Sequence, residues 1–282
     1  FFIILIVMSL PISIIAATLG ATWSTKTTSA AWSGRNMHAS VYWQNKVWVL
    51  GGYTKDTSIT SKDVYKYTND VYSSTDGTTW TNAFTSGSAP WSARGGHAAV
   101  VFQNKIWIFG TYDIWQTSTG NVDGTAWTQV TGFQFSLNGG TSWHNVAASQ
   151  AAIAPYSMPV SDGTTTTGSF GRSYHEAVVF NGNEIWIIGG MDVHGKRKND
   201  VWKSADGIKW ELVNPTESTI WSGRIGHKVV EFASTLWLLG GCDDTKALSD
   251  VWKLKTDKKN WEQVTASASW GKIGRASCRE RV

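Results

Sequence analysis

Four short runs in this chain are apolar at every position: Val47–Leu50, Ile106–Phe109, Ile185–Ile188 and Leu236–Leu239, each with Trp second. Periodicity cannot separate such a run from a buried helix. The polar turns before them and the glycines after them decide for strands. Each is preceded by a second apolar stretch, as in "HASVYWQNKVWVLGG" (38–52), so the pattern predicts hairpins. Antiparallel strands with apolar residues on both faces need cover on both sides, and radially stacked sheets supply it.

The hairpins are copies of one unit. "GRNMHASVYWQNKVWVLGG" (34–52), "ARGGHAAVVFQNKIWIFG" (93–110), "GRSYHEAVVFNGNEIWIIGG" (171–190) and "GRIGHKVVEFASTLWLLGG" (223–241) all read Arg-x-x-His, strand, polar turn, strand with Trp. Three end in Gly-Gly, and the second has Gly110 alone. His38, His97, His175 and His227 lie 59, 78 and 52 residues apart. A second half follows each: "DVYSSTDGTTW" (70–80), "DIWQTSTGNVDGTAW" (113–127), "DVWKSADGIKW" (200–210) and "DVWKLKTDKKNW" (250–261). Its Asp-Gly predicts a type I′ turn, whose residues need φ > 0, and Asn181-Gly182 could bend similarly. Four short antiparallel strands per unit follow, an all-β chain of repeated blades.

This pattern resembles the kelch repeat, with Gly-Gly closing the second strand, an aromatic in the third and Trp in the fourth. The resemblance spans roughly residues 22–271 and implies a β-propeller of four-stranded blades, with about four blades present. The "DVW…DG…W" variant resembles exported kelch proteins of the type of the galactose oxidase central domain. Trp23 and Trp32 are spaced as Trp261 and Trp270 are. Trp23 is therefore expected to end a blade begun elsewhere, leaving the ring incomplete.

Both ends of the chain change the picture. Residues 1–21 are apolar, then small, and read as a secretory signal or, less simply, a membrane anchor. A secreted or extracytoplasmic location is the expectation, with membrane contact only if that segment is retained. Residues 273–282, "IGRASCRERV", back-translate to a common sequencing adapter and are expected to be foreign to the protein; the propeller is assigned to 22–272. That tail carries three Arg and one Glu, so without it the formal charge of +4 falls to +2. It also holds Cys278, one of only two cysteines. No nucleic-acid partner is then implied by charge. No Cys/His ligand spacing is present, so neither metal nor cofactor is expected.

Candidate chemistry comes from residues that recur and from one stretch that does not. Arg35, Arg94, Arg172 and Arg224 occur once per unit. In related kelch propellers an Arg at this step can face the channel mouth, where a ring of guanidiniums would grip carboxylate or sulfate; the reading set ahead of it is that Arg and His buttress the blade by bonding loop carbonyls. Asp63, Asp70, Asp113, Asp200 and Asp250 precede or flank third strands and are explained as Asx turns. Trp80, Trp127, Trp210 and Trp261 are expected between blades, whereas Trp32, Trp91 and Trp221 are expected to be more exposed. The irregular insertion 131–170 contains "SLNGGTSW" (136–143), which matches a sialidase-type Asp-box with Asn138 in place of Asp. It predicts a hairpin and a polar loop, and Trp143, His144 and Tyr156 are its binding candidates.

A monomeric binding module for a protein or glycan is the leading expectation. The alternative is a sugar-modifying enzyme, similar to sialic-acid mutarotases or sialidases. It would use Glu176, which stands where other units carry Ala39, Ala98 and Lys228, together with Arg172.

Overall fold

A computed structural model describes residues 24–269, except 57–63, 85–87, 111–112, 119, 122, 131–133, 137–140, 142–143, 146–171, 193 and 219. The signal-like segment, Trp23, Trp143, Tyr156, Trp270 and the adapter-like tail lie outside the described residues. Every helix or strand among the described residues is a strand.

The strands fall into four blades. The first holds β1 (Arg35–Asn36), β2 (Ala39–Trp43), β3 (Lys46–Lys55), β4 (Tyr65–Ser74) and β5 (Thr81–Asn82). The second holds β6 (Ala98–Phe102), β7 (Lys105–Phe109), β8 (Ile114–Thr117) and β9 (Trp127–Gln129). The insertion contributes β10 (Gln134–Ser136) and β11 (His144–Asn145). The third blade holds β12 (Arg172–Ser173), β13 (Glu176–Phe180), β14 (Glu184–Ile188), β15 (Met191–Asp192), β16 (Val201–Ser204) and β17 (Lys209–Leu212). The fourth holds β18 (Lys228–Phe232), β19 (Thr235–Cys242), β20 (Ala247–Leu254) and β21 (Trp261–Thr265). Each blade is an antiparallel meander of four main strands. The first of these, β2, β6, β13 and β18, touch one another in succession, so they are innermost. This is the propeller arrangement.

The turns differ in detail from expectation. Type I′ geometry belongs to the first hairpins, where Gln44-Asn45, Gln103-Asn104, Asn181-Gly182 and Ala233-Ser234 all have positive φ. In the Asp-Gly turns only the glycine does, as at Gly77 and Gly207. There the loop is longer than two residues. Asp76 accepts the N–H groups of Thr78 and Thr79, and Ser74 Oγ accepts that of Gly77. Asp206 and Ser204 repeat the arrangement. Side-chain acceptors organise this bend, which therefore needs only one left-handed residue.

Three apolar cores fill the three spaces between blades. In each, the second-strand Trp of one blade faces the following blade. Trp48 lies over Gly124 and Trp107 over Gly207, so closely that a Cβ on either glycine would fall 2.3 Å from the indole. Third-strand aromatics Trp115, Trp202 and Trp252 face back toward the preceding blade. In the insertion, β10 pairs antiparallel with β11 and parallel with β17, extending the third blade to six strands and covering its outer edge. Ser136, the first residue of the Asp-box match, is fully buried there.

The indole-on-glycine contact makes a comparison possible within one chain. Gly77 has nothing near its would-be Cβ. Gly77→Ala should therefore cost only left-handed strain, about 1–2 kcal/mol. Gly207→Ala adds a collision with Trp107, about 1–3 kcal/mol more. Urea denaturation of the two variants should place Gly207→Ala clearly lower; equal midpoints would contradict the contact.

Candidate functional site

The Arg-x-x-His step sits where the innermost strands begin, and its arginine turns into its own blade. Arg35 makes two bonds to Asp70, at 2.6 and 2.8 Å. Arg172 does so to Asp200, both at 2.7 Å, and Arg224 to Asp250, at 2.7 and 2.9 Å. Arg94 is paired with Asp113. The same guanidiniums donate to the carbonyl of the first Gly-Gly residue: Gly51, Gly189 and Gly240. The indoles of Trp115, Trp202 and Trp252 donate to the paired carboxylates, which is why Asp stands two residues before an aromatic.

The arginine contacts favour the buttressing reading, and one expectation is corrected. The four arginines are not presented as a ring of ligand-gripping groups, because all four side chains are buried in ion pairs. Asp70, Asp113, Asp200 and Asp250 are not Asx-turn residues but the partners of those arginines, and Asp63 lies outside the described residues. Burial alone would push the Asp200 and Asp250 carboxyls up, but the Arg charges and the Arg and Trp hydrogen bonds outweigh it and hold both below the usual range.

Blades are joined at the same corner. The amides of Gly52 and Gly190 donate to the carbonyls of Arg94 and Arg224 in the following blade. The His97 ring rests on Gly51 and that of His227 on Gly189, where a side chain would collide. His227 Nε2 lies 3.1 Å from the Ile188 carbonyl. The third residue of each Arg-x-x-His, Met37, Gly96, Tyr174 or Gly226, is left-handed. Gly96 N–H donates to the Met37 carbonyl, Tyr174 N–H to Gly96, and Gly226 N–H to Tyr174. A hydrogen-bonded ladder thus crosses all four blades.

Other predicted residues separate. Trp91 and Trp221 are buried, against the expectation of exposure; each meets its blade's fourth-strand Trp edge-on and lies beneath its Arg. Trp32 is half-buried and meets Trp80 in the same way. The proposed pair of Glu176 and Arg172 is split: Glu176 is salt-bridged to Lys228 at 2.8 Å, while Arg172 is held by Asp200. His144 lies in β11, paired with Phe135 in register.

A surface that the sequence reading missed lies beside the ladder. β3 and β4 run ten residues each and project past the Gly-Gly corner. On this extension Tyr53 stacks on Tyr65 at 5.4 Å and meets Tyr67 at 5.1 Å, and both Tyr65 and Tyr67 are about half exposed. The Tyr67 ring covers Gly95 and the Tyr174 ring covers Gly96, each near 3.0 Å from a would-be Cβ. Tyr174 O–H reaches Met37 Sδ at 3.6 Å. Between Tyr67 and Tyr174 is a cavity of about 420 Å³, floored by Gly95 and bordered by Ser173 and Met191. The available signal was "GGYTK…VYKYTND", three tyrosines in a segment longer than its counterparts.

Residues 223–266 match the Kelch motif family model. The chain is a β-propeller whose fourth blade matches the Kelch motif. It is also similar to beta-scruin of Limulus polyphemus, 28% identical over 154 residues, which cover 54% of this chain and 14% of that protein. The kelch repeat is thus seen here as a blade with one Arg–Asp pair at its inner corner.

Depressed carboxyl pKa values fix the sign of a pH effect. A carboxyl held below its unfolded value of about 3.9 stabilises the fold above that pH, and the contribution is lost as pH falls through the folded-state value. Asp250→Asn leaves Arg224 buried without its counter-charge and should cost about 3–5 kcal/mol at neutral pH. Its stability should also fall less steeply below about pH 4 than the parent's. Chemical denaturation across that range checks both.

Proposed function

We propose that this kelch propeller is a binding module whose ligand is a protein, engaged at the tyrosine-rich mouth formed by Tyr53, Tyr65, Tyr67 and Tyr174. One observation carries the reading: the half-exposed Tyr65 and Tyr67 pack against Tyr53 at the end of the blades where the Arg and Asp rows are engaged with each other. Tyrosine gives large contact area for two side-chain torsions and keeps a polar tip, which is why it anchors protein interfaces. The ladder beneath holds the rings on rigid backbone, so little ordering is left for binding. We further propose, from the signal-like segment 1–21, that the module works outside the cytoplasm.

A glycan is the second reading, favoured by the near-parallel stacking of Tyr53 and Tyr65 at 18°, which offers flat faces to sugar rings. Photo-crosslinking from position 65, compared with position 78 at the Asp-Gly end, tests the protein reading. Crosslinks to one protein from position 65 alone, lost in Tyr67→Ser, are expected. If no protein is captured while a glycan array responds, and that response is lost in Tyr67→Ser, the ligand is a sugar.

A further inference from the structure

One position in the loop between β15 and β16 is cationic in the third blade alone. Lys198 stands two residues before the paired Asp200, where the other units have Thr68, Thr111 and Leu248. Asp192 shapes the loop by accepting the N–H groups of His194 and Lys196, and its own N–H donates to the Lys196 carbonyl. Lys198 N–H donates to the Gly190 carbonyl, and the Lys198 carbonyl receives Arg224 N–H from the fourth blade. The loop crosses Gly223 so closely that a Cβ there would fall 2.5 Å from the Arg197 carbonyl. Backbone bonds on both sides thus fix Arg197 and Lys198 between the third and fourth blades.

A cavity of about 300 Å³ opens beside them. Lys196, Arg197, Lys198 and Lys259 line it, and its one lining carboxylate, Asp200, is already bound by Arg172 at both oxygens and by Trp202 at one. Leu212, Pro215, Ile220 and Trp261 supply an apolar wall. Two of the cations are under-compensated. The Lys198 side chain is only 6% exposed and its ammonium lies 3.7 Å from Asp192. Burial pushes that ammonium below its usual range, and the Asp200 and Asp192 charges offset this only in part. Arg197 Nη1 is buried without a hydrogen-bond acceptor among the described residues; its ion-pair partner, Asp244, is 3.5 Å away and 76% exposed. A buried cationic donor in that condition costs stability until an acceptor reaches it.

We propose that this cavity binds a small organic anion, a carboxylate carried on an apolar body. The carboxylate would accept hydrogen bonds from the Arg197 guanidinium and the Lys198 ammonium, and the body would lie against Ile220 and Trp261. The volume is at the lower end for a ligand pocket, which suits a body the size of benzoate or hexanoate. A bare inorganic anion would satisfy the cations but leave the apolar wall wet. The site is separate from the tyrosine mouth. Its cationic loop belongs to the third blade, whereas Lys259 and Trp261 belong to the fourth, so an occupant would bridge the two.

An NMR titration of the purified 282-residue chain, read on its indole N–H signals, tests this with three probes: benzoate, its neutral analogue benzamide, and inorganic phosphate. Benzoate should move the Trp261 signal, assigned by its loss in Trp261→Phe, along a saturable one-site curve. Benzamide and phosphate should each bind at least about tenfold more weakly, the first lacking the charge and the second the apolar body. Lys198→Met keeps the side-chain length without the charge, and Arg197→Gln removes the guanidinium. Each should weaken benzoate at least about tenfold while far-ultraviolet circular dichroism matches the parent. The comparison of probes needs no variant, so it decides the matter even if a variant does not fold. No saturable shift of Trp261 with benzoate, equal binding of benzamide or phosphate, or unchanged affinity in the folded variants overturns the proposal.

Discussion

Every blade depends on one buried ion pair. The arginine that opens the innermost strand is bound to an aspartate of the third strand, and three of the four also bond a glycine carbonyl that ends the second. Three strands are thereby tied at a single point. Because the guanidinium is fixed, its own backbone carbonyl is fixed as well. In Arg94 and Arg224 that carbonyl receives the Gly-Gly amide of the preceding blade. The bond within a blade thus sets the geometry of the bond between blades. A buried pair of this kind adds little net stability compared with apolar residues, yet it is costly to break, so it selects one register rather than deepening the well.

The ladder through Met37, Gly96, Tyr174 and Gly226 rests on the same corner. Left-handed backbone costs a residue with a Cβ about 1–2 kcal/mol, and glycine avoids it. Two of the four positions nevertheless carry large side chains. Gly95 and Gly96 form a floor against which the rings of Tyr67 and Tyr174 pack. Glycine at the blade that supplies the floor and tyrosine at the next are therefore parts of one arrangement, in which backbone strain supports a side chain that the repeat does not require.

The strands, their order and the blade unit were legible because each is written four times, and hydrophobic runs with turn residues leave few alternatives. The rows of Arg and Asp were equally visible, but their pairing was not. Their partners are 19 to 35 residues apart and meet only once the meander is folded, although their matched recurrence in every unit was a signal. The exposure expected of Trp91 and Trp221 failed for a similar reason. A linker position suggests surface, whereas each indole is drawn beneath its arginine and against a fourth-strand Trp. The Asp-Gly turns were mistaken in type because the sequence rule concerns two-residue loops. These loops are longer and are organised by Ser and Asp acceptors.

Repetition and function divide this molecule in a way that follows from the packing. A side chain that recurs in every blade is used by the scaffold: the arginines with their aspartates and the aromatic pair joining the first two main strands recur four times, and the rings of His97 and His227 lie over glycine. What remains for recognition is what one blade has and the others lack. The projecting β3–β4 pair, Tyr174 in place of glycine, and Met37 beside it all gather at the end of the blades where the ladder holds the backbone most firmly. A rigid floor with irregular aromatic side chains above it loses little entropy on binding. The ladder that holds the blades together would therefore also support the four tyrosines of the proposed binding surface.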